Sequence, residues 1–104
     1  MAQIVWSEPA LQDLEQIADY IALEDPTAAN KLVQSVFQKL DLLETFPEMC
    51  SVPRDLPTDR YRHLIVGPLR IFHRIDGETI YVVYVMRAER NLNLEEIIER
   101  DAKR

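Results

Sequence analysis

The run LRIFHRIDGETIYVVYVM, residues 69–86, decides the fold. Both halves are rich in β-branched and aromatic residues, and Asp76-Gly77 separates them. An Asp-Gly pair between such runs is the strongest short hairpin signal, because both residues tolerate the positive φ of a type I′ turn. With Asp76 and Gly77 as the loop, Ile75 pairs with Glu78. Ile71, His73, Ile75, Ile80, Val82, Tyr84 and Met86 then share one face, expected to be the core side beneath helices. The opposite face carries Arg70, Phe72, Arg74, Thr79, Tyr81, Val83 and Val85. Its mixed apolar and cationic character suits a sheet with one face open to a partner, and such a chain is expected to be soluble mainly in complex.

Outward from the hairpin, Tyr61–Val66 reads as a preceding strand across Gly67-Pro68, and Pro47–Asp59 as an irregular loop holding three prolines. Before it lie two amphipathic helices. Ser7 is the candidate N-cap of the first, with Pro9 in its opening turn. Leu11, Leu14, Ile17, Ala18 and Ile21 form its apolar stripe, while Gln12, Asp13, Glu15, Gln16 and Asp19 are expected to face water. Asp25-Pro26 caps and starts the second, whose apolar side runs from Ala29 through Leu32, Val33, Val36, Phe37, Leu40 and Leu43 to Phe46, and Pro47 stops it. Gln3–Trp6 is a short strand ahead of the helical hairpin. At the other end, Asn93-Leu94-Glu95-Glu96 opens a short helix with Leu94, Ile97 and Ile98 on its apolar edge. This helix either moves as a flap over the open sheet face or stays packed on that face or the sheet edge. The class is α+β: a strand, an αα-hairpin, an antiparallel sheet of about four strands and a short C-terminal helix, in two layers, as one domain over residues 1–104.

Composition narrows the function. Apolar residues form 47% of the chain, enough for one packed core. The longest apolar run, Ile80–Met86, is far too short to span a bilayer, so no membrane role and a cytoplasmic location are expected. One cysteine, Cys50, makes no internal disulfide, and without a nearby His it is a weak candidate nucleophile. The net charge of −6 is unevenly spread: residues 1–50 hold nine Asp/Glu and two Lys, whereas residues 51–104 hold nine Asp/Glu and ten Lys/Arg. Every arginine follows residue 53. The asymmetry fits either a solvated acidic helical face or a second half that presents arginines to an anionic partner.

No glycine-rich phosphate loop, GxSxG elbow, HExxH or paired cysteine motif is present, so no cofactor is expected. His63 and His73 lack companions at metal-ligand spacing, and no metal is expected. His73 reads as a hydrogen-bonded buried imidazole. What remains is arginine: Arg60 and Arg62 at the sheet's start, Arg70 and Arg74 along one face, Arg87 and Arg90 after the last strand. Guanidinium forks match phosphate oxygens, yet each equally suits pairing with a carboxylate of this acidic chain.

Four stretches, Val5-Trp6-Ser7-Glu8-Pro9-Ala10, Phe46-Pro47-Glu48-Met49, Tyr61-Arg62-His63-Leu64 and Val66–Arg74, stand in the order and spacing of the RelE/ParE toxin superfamily, which the chain resembles over about residues 3–95. The resemblance implies the toxin of a bacterial type II toxin–antitoxin module, with growth inhibition and plasmid stabilisation. It implies a hetero-oligomer with a cognate antitoxin. Its members either cleave ribosome-bound mRNA, as RelE does, or poison DNA gyrase, as ParE does. Arg62, Arg70 and Arg90 fall where RelE-type nucleases carry basic residues. Leu64 stands in place of a second sheet lysine, and Glu96 about where those nucleases have a tyrosine. Arginine is a poor proton carrier, so these departures, with the long helical hairpin and the acidic surface, favour a ParE-like gyrase inhibitor over an endoribonuclease. A nuclease would draw its catalytic residues from Arg62, Arg70, Tyr81 and Arg90. Candidate partner contacts are Arg70, Phe72, Arg74, Tyr81, Arg87 and Arg90.

Overall fold

A computed structural model describes residues 2–102. Strand β1 (Gln3–Trp6) leads into helix α1 (Glu8–Ala22), followed by α2 (Pro26–Thr45), β2 (Arg62–Val66), β3 (Leu69–Asp76), β4 (Thr79–Arg87) and α3 (Leu94–Ala102). Local chemistry sets the helix starts. The Ser7 hydroxyl accepts from the Ala10 amide at 3.1 Å, and the Asp25 carboxylate from the Ala28 amide at 3.0 Å, each satisfying an amide the helix cannot.

The sheet order is β1-β4-β3-β2. β2, β3 and β4 are antiparallel neighbours, and β1 adds to β4 in parallel, from Gln3 opposite Thr79 to Trp6 opposite Val82. The α+β architecture therefore stands, with a parallel edge that the helical hairpin makes possible by carrying the chain back across the sheet. Helices α1 and α2 cover one face, where Ala10, Leu14, Val36, Leu40 and Leu43 meet Leu64, Val66, Leu69, Ile71, Ile80, Val82 and Val85.

The hairpin differs from its expected register in two ways. Asp76 pairs with Thr79, leaving Gly77 and Glu78 as the turn with Gly77 at φ +60°, so Ile75 sits opposite Ile80 and not Glu78. That slip is an even number of residues and preserves every facing. A bulge does not. His73 pairs with Val82 but Phe72 with Tyr84, so Val83 is extra and the alternation beyond it inverts. Tyr84 and Met86, expected beneath the helical hairpin, therefore lie on the other face, and Val85, expected on the open face, points into the core.

That second face is closed. Phe72, Val83, Tyr84 and Met86 are buried with Tyr61, with Leu56 from the loop and with Ile97 of α3, while Leu92 and Leu94 pack at the margin. The exposed apolar face expected from the pattern is thus a second small core, and α3 is packed on it rather than standing clear. Without the cover, Phe72 and its neighbours would leave an apolar patch facing water, and burying one large side chain contributes about 1.5–3 kcal/mol.

His73 is fully buried on the helix-facing side, and its ring nitrogens make no well-formed hydrogen bond, only a weak contact with the Ile71 backbone. The expected buried imidazole is present, with this weak polar contact, among the apolar residues that alternate with it in the hairpin. Burial, with the charges of Arg62 and His63 adding to it, pushes its pKa down to about 4. Below about pH 6.5 the unfolded chain therefore binds a proton the folded chain refuses, and stability falls as pH drops toward 4. His73→Leu should remove this loss. Thermal or urea melts from pH 7 to 4 should show the variant gaining on the wild type by about 3 kcal/mol across that window, and a pH-independent difference would contradict the burial argument.

Candidate functional site

Two polar clusters flank the covered face, and each is assembled from elements distant in sequence. The first is centred on Asp101 of α3. Its Oδ2 accepts from Arg74 Nε at 2.7 Å, from the Tyr61 hydroxyl at 3.0 Å and from Arg60 at 3.4 Å. The Arg74 and Asp101 side chains are only 8% and 5% exposed, and the Arg74 guanidinium lies 4.6 Å from the Tyr81 ring centroid. The carboxylate in turn pushes the Tyr61 hydroxyl's pKa up, after burial, and raises that of Arg74. This network ties α3 to β3, and its charges are committed to each other.

Along the same face, Arg70 forms a two-pronged pair with Asp55, at 2.8 and 2.9 Å, and its Nε donates to His63 Nδ1 at 3.3 Å. It also lies over the Phe72 ring. The hydrogen bonds from Arg70 hold the Asp55 carboxyl below the usual range, and burial with the Arg70 charge lowers the His63 pKa, so His63 is a neutral acceptor. Arg62 turns to the opposite side, where it pairs across the ladder with His73 and donates to the Glu48 and Cys50 carbonyls. Leu64 is buried in the helix-side core. The basic residues singled out from sequence are thus split between two faces. Burial also pushes the Cys50 thiol up, away from a nucleophilic thiolate. Among the described residues, no three His, Cys, Asp or Glu side chains are grouped to hold a metal ion.

The second cluster lies where β1 has ended and the edge of β4 is left unpaired beyond Val82. There Asp13 of α1 accepts from the Val85 amide at 3.2 Å and pairs with Arg100 of α3 at 2.7 Å. Arg100 stacks on the Tyr84 ring, whose hydroxyl donates to Glu96 at 2.7 Å. Asp13, Tyr84, Arg87, Arg90 and Arg100 line a cleft of about 150 Å³. Burial raises the Asp13 pKa to about 6 against the lowering by the Val85 amide and Arg100, and burial with the Glu96 contact pushes Tyr84 up to about 12. Arg87 pairs with Glu89, and exposed Arg90 is close enough to lower both shifted groups. Asp13 was expected to face water. A signal against that existed, since Asp13 stands three residues after Ala10 and four before Ile17, at the edge of the inward stripe. Asp55, Asp101 and Glu96 carried no local signal, because their partners are 15, 27 and 12 residues away.

Residues 4–92 match the family model described as "ParE toxin of type II toxin-antitoxin system, parDE". The chain belongs to the ParE toxin family. Toxin RelE2 of Caulobacter vibrioides is 34% identical over 92 residues, covering 86% of this chain and 99% of that protein. Among solved structures, the chromosomal ParDE system of P. aeruginosa superposes with a TM-score of 0.71 at 25% identity, over 86% of this chain and 98% of the other. The RelBE2 toxin–antitoxin complex of Mycobacterium tuberculosis shares the fold, with a TM-score of 0.56 at 18% identity over 83% and 96% of the two chains. The chain is therefore a toxin of a type II toxin–antitoxin system, and both branch names occur among its relatives.

The two arginines on the closed face differ sharply in consequence. Arg74→Ala removes the buried cation from Asp101, so urea unfolding should show a loss of about 3 kcal/mol, the lower end for breaking a buried pair. Arg70→Ala releases a half-exposed Asp55 and should cost no more than about 1 kcal/mol. Equal small losses would contradict the assignment of Arg74 to a buried clamp. The sequence pattern places both arginines on the face opposite the core and does not distinguish them.

Proposed function

We propose that this toxin is neutralised by a cognate antitoxin and that its target is DNA gyrase, which it inhibits without cleaving RNA. The antitoxin reading is supported by the family and by relatives solved as toxin–antitoxin systems. One observation carries the target: the sheet cations a nuclease would turn on a phosphate are bound internally. Arg74 is held by Asp101 and Arg70 by Asp55 on the face that α3 covers, and Arg62 by two backbone carbonyls on the other face. Cations already paired cannot stabilise charge developing in a transition state unless those pairs first break. Leu64, buried in the core, supplies no cation at all.

A second reading rests on the Asp13 cleft. A carboxyl with a pKa near 6, beside Tyr84 and three arginines, has the proton affinity that acid–base catalysis at neutral pH requires. In that reading the chain is a ribosome-dependent endoribonuclease, and Asp13 rather than Tyr81 moves the proton.

Purified protein should block gyrase supercoiling and leave ribosome-bound mRNA intact, with Tyr81→Phe and Asp13→Asn each retaining most of the inhibition. Cleavage of ribosome-bound mRNA that falls about 10²-fold or more in Asp13→Asn, with supercoiling untouched, would make the nuclease the better account.

A further inference from the structure

The end of α2 and the β3–β4 turn border a shallow, open cleft of about 620 Å³, lined by Phe46, Pro47, Glu48, Met49, Ile75 and Gly77. It lies outside both polar clusters. Phe46 is 59% exposed and Met49 44%, a large apolar investment for positions the core does not use. The turn leaves it open, since a side chain built at Gly77 would meet nothing within 4 Å. The volume falls in the range of about 300–1,000 Å³ typical of ligand pockets.

The rim is acidic. Glu48 lines the cleft, exposed Glu78 follows Gly77 in the turn, and the last turn of α2 carries Glu44 and no basic residue. Asp76 turns to the other face, 3.7 Å from Arg74, and on the cleft's own side Arg62 donates to the Glu48 and Cys50 carbonyls. Two copies of this chain meeting here would bring like charges together on a molecule of net charge −6, which disfavours self-association. An apolar cleft with Glu48 and Glu78 at its edge matches a segment that has a large apolar side chain next to basic residues.

We propose that this cleft is an anchor site for the antitoxin, taking a bulky apolar side chain flanked by Lys or Arg. The inference rests on the antitoxin reading above. It places part of the binding energy at the acidic end of the sheet, not on the arginine-bearing face, where the guanidinium groups already have partners.

The test uses the full chain and the antitoxin encoded beside it, with affinity measured by titration calorimetry at two salt concentrations. Melting curves confirm that each variant is folded. Phe46→Ala should weaken the complex by about tenfold or more, the mark of an anchor residue, and Met49→Lys should weaken it further by placing a cation in the pocket. The double variant Glu48→Gln/Glu78→Gln should bind more weakly and lose part of its salt dependence. Leu23→Ala, at an 81% exposed position on the helical hairpin's tip, should bind as the wild type does. Wild-type affinity in both Phe46→Ala and Met49→Lys would overturn the proposal while leaving the antitoxin reading intact. A concentration-dependent dimer of the chain alone, abolished by Phe46→Ala, would overturn it in favour of a second copy. Absence of any complex with the wild type would remove the antitoxin reading and this site together.

Discussion

Arg74 and Asp101 meet at 2.7 Å with less than a tenth of either side chain exposed, and what the sheet presents to a partner depends on that pair. A buried ion pair gains little net stability over an apolar replacement, because desolvating both charges offsets most of their attraction. Its effect is on specificity of arrangement. Asp101 left alone in that position would be an uncompensated buried charge, so α3 is favoured in the one pose that brings its carboxylate to Arg74, Tyr61 and Arg60 together. The apolar contact through Ile97 supplies attraction without direction, and the ion pair supplies the direction. Asp13 and Arg100 repeat the device at the other edge of α3, where α1 meets the unpaired side of β4.

These clamps determine which chemistry is open to the molecule. With α3 seated, a face that would otherwise mix aromatic rings and guanidinium groups becomes interior, and its cations neutralise carboxylates of the same chain. What stays accessible is the acidic helical hairpin, the apolar cleft beside Phe46 and the small cleft at Asp13. That arrangement supports the proposed reading of a toxin that acts on a protein surface rather than by phosphate chemistry on the sheet. The low stability margin of small domains makes such a closed second core valuable in its own right.

The main elements were legible because each is written locally. Ser7 and Asp25 mark helix starts, Pro47 a helix stop, and the period of the apolar residues changes from helical to alternating at the sheet. The bulge at Val83 was not legible. Nothing in Tyr81-Val82-Val83-Tyr84-Val85 distinguishes an inserted residue from a regular one, and a single insertion inverts the facing of everything after it, which is why Tyr84, Val85 and Met86 were assigned to the wrong sides. The ionic contacts were illegible for a related reason. An arginine reads the same whether its partner is a phosphate, another protein or an aspartate far along the chain, and only the fold brings Arg74 to Asp101 or Arg70 to Asp55. The family resemblance was readable from the order of short stretches, none of which is specific alone, and it did not separate gyrase from ribosome.

The most direct measurement of the central claim, that α3 is clamped over the sheet as part of the folded core, is hydrogen exchange of the isolated protein, followed peptide by peptide under native conditions. If the Asp101 clamp holds, amides of α3 between Ile97 and Ala102 should be protected to nearly the same degree as those of β3 and β4, opening only with the sheet. Exchange of those α3 amides many orders of magnitude faster than the sheet, at a rate near that of an unstructured segment, would mean that the helix spends its time undocked. The face bearing Phe72 and Arg74 would then be the open one after all.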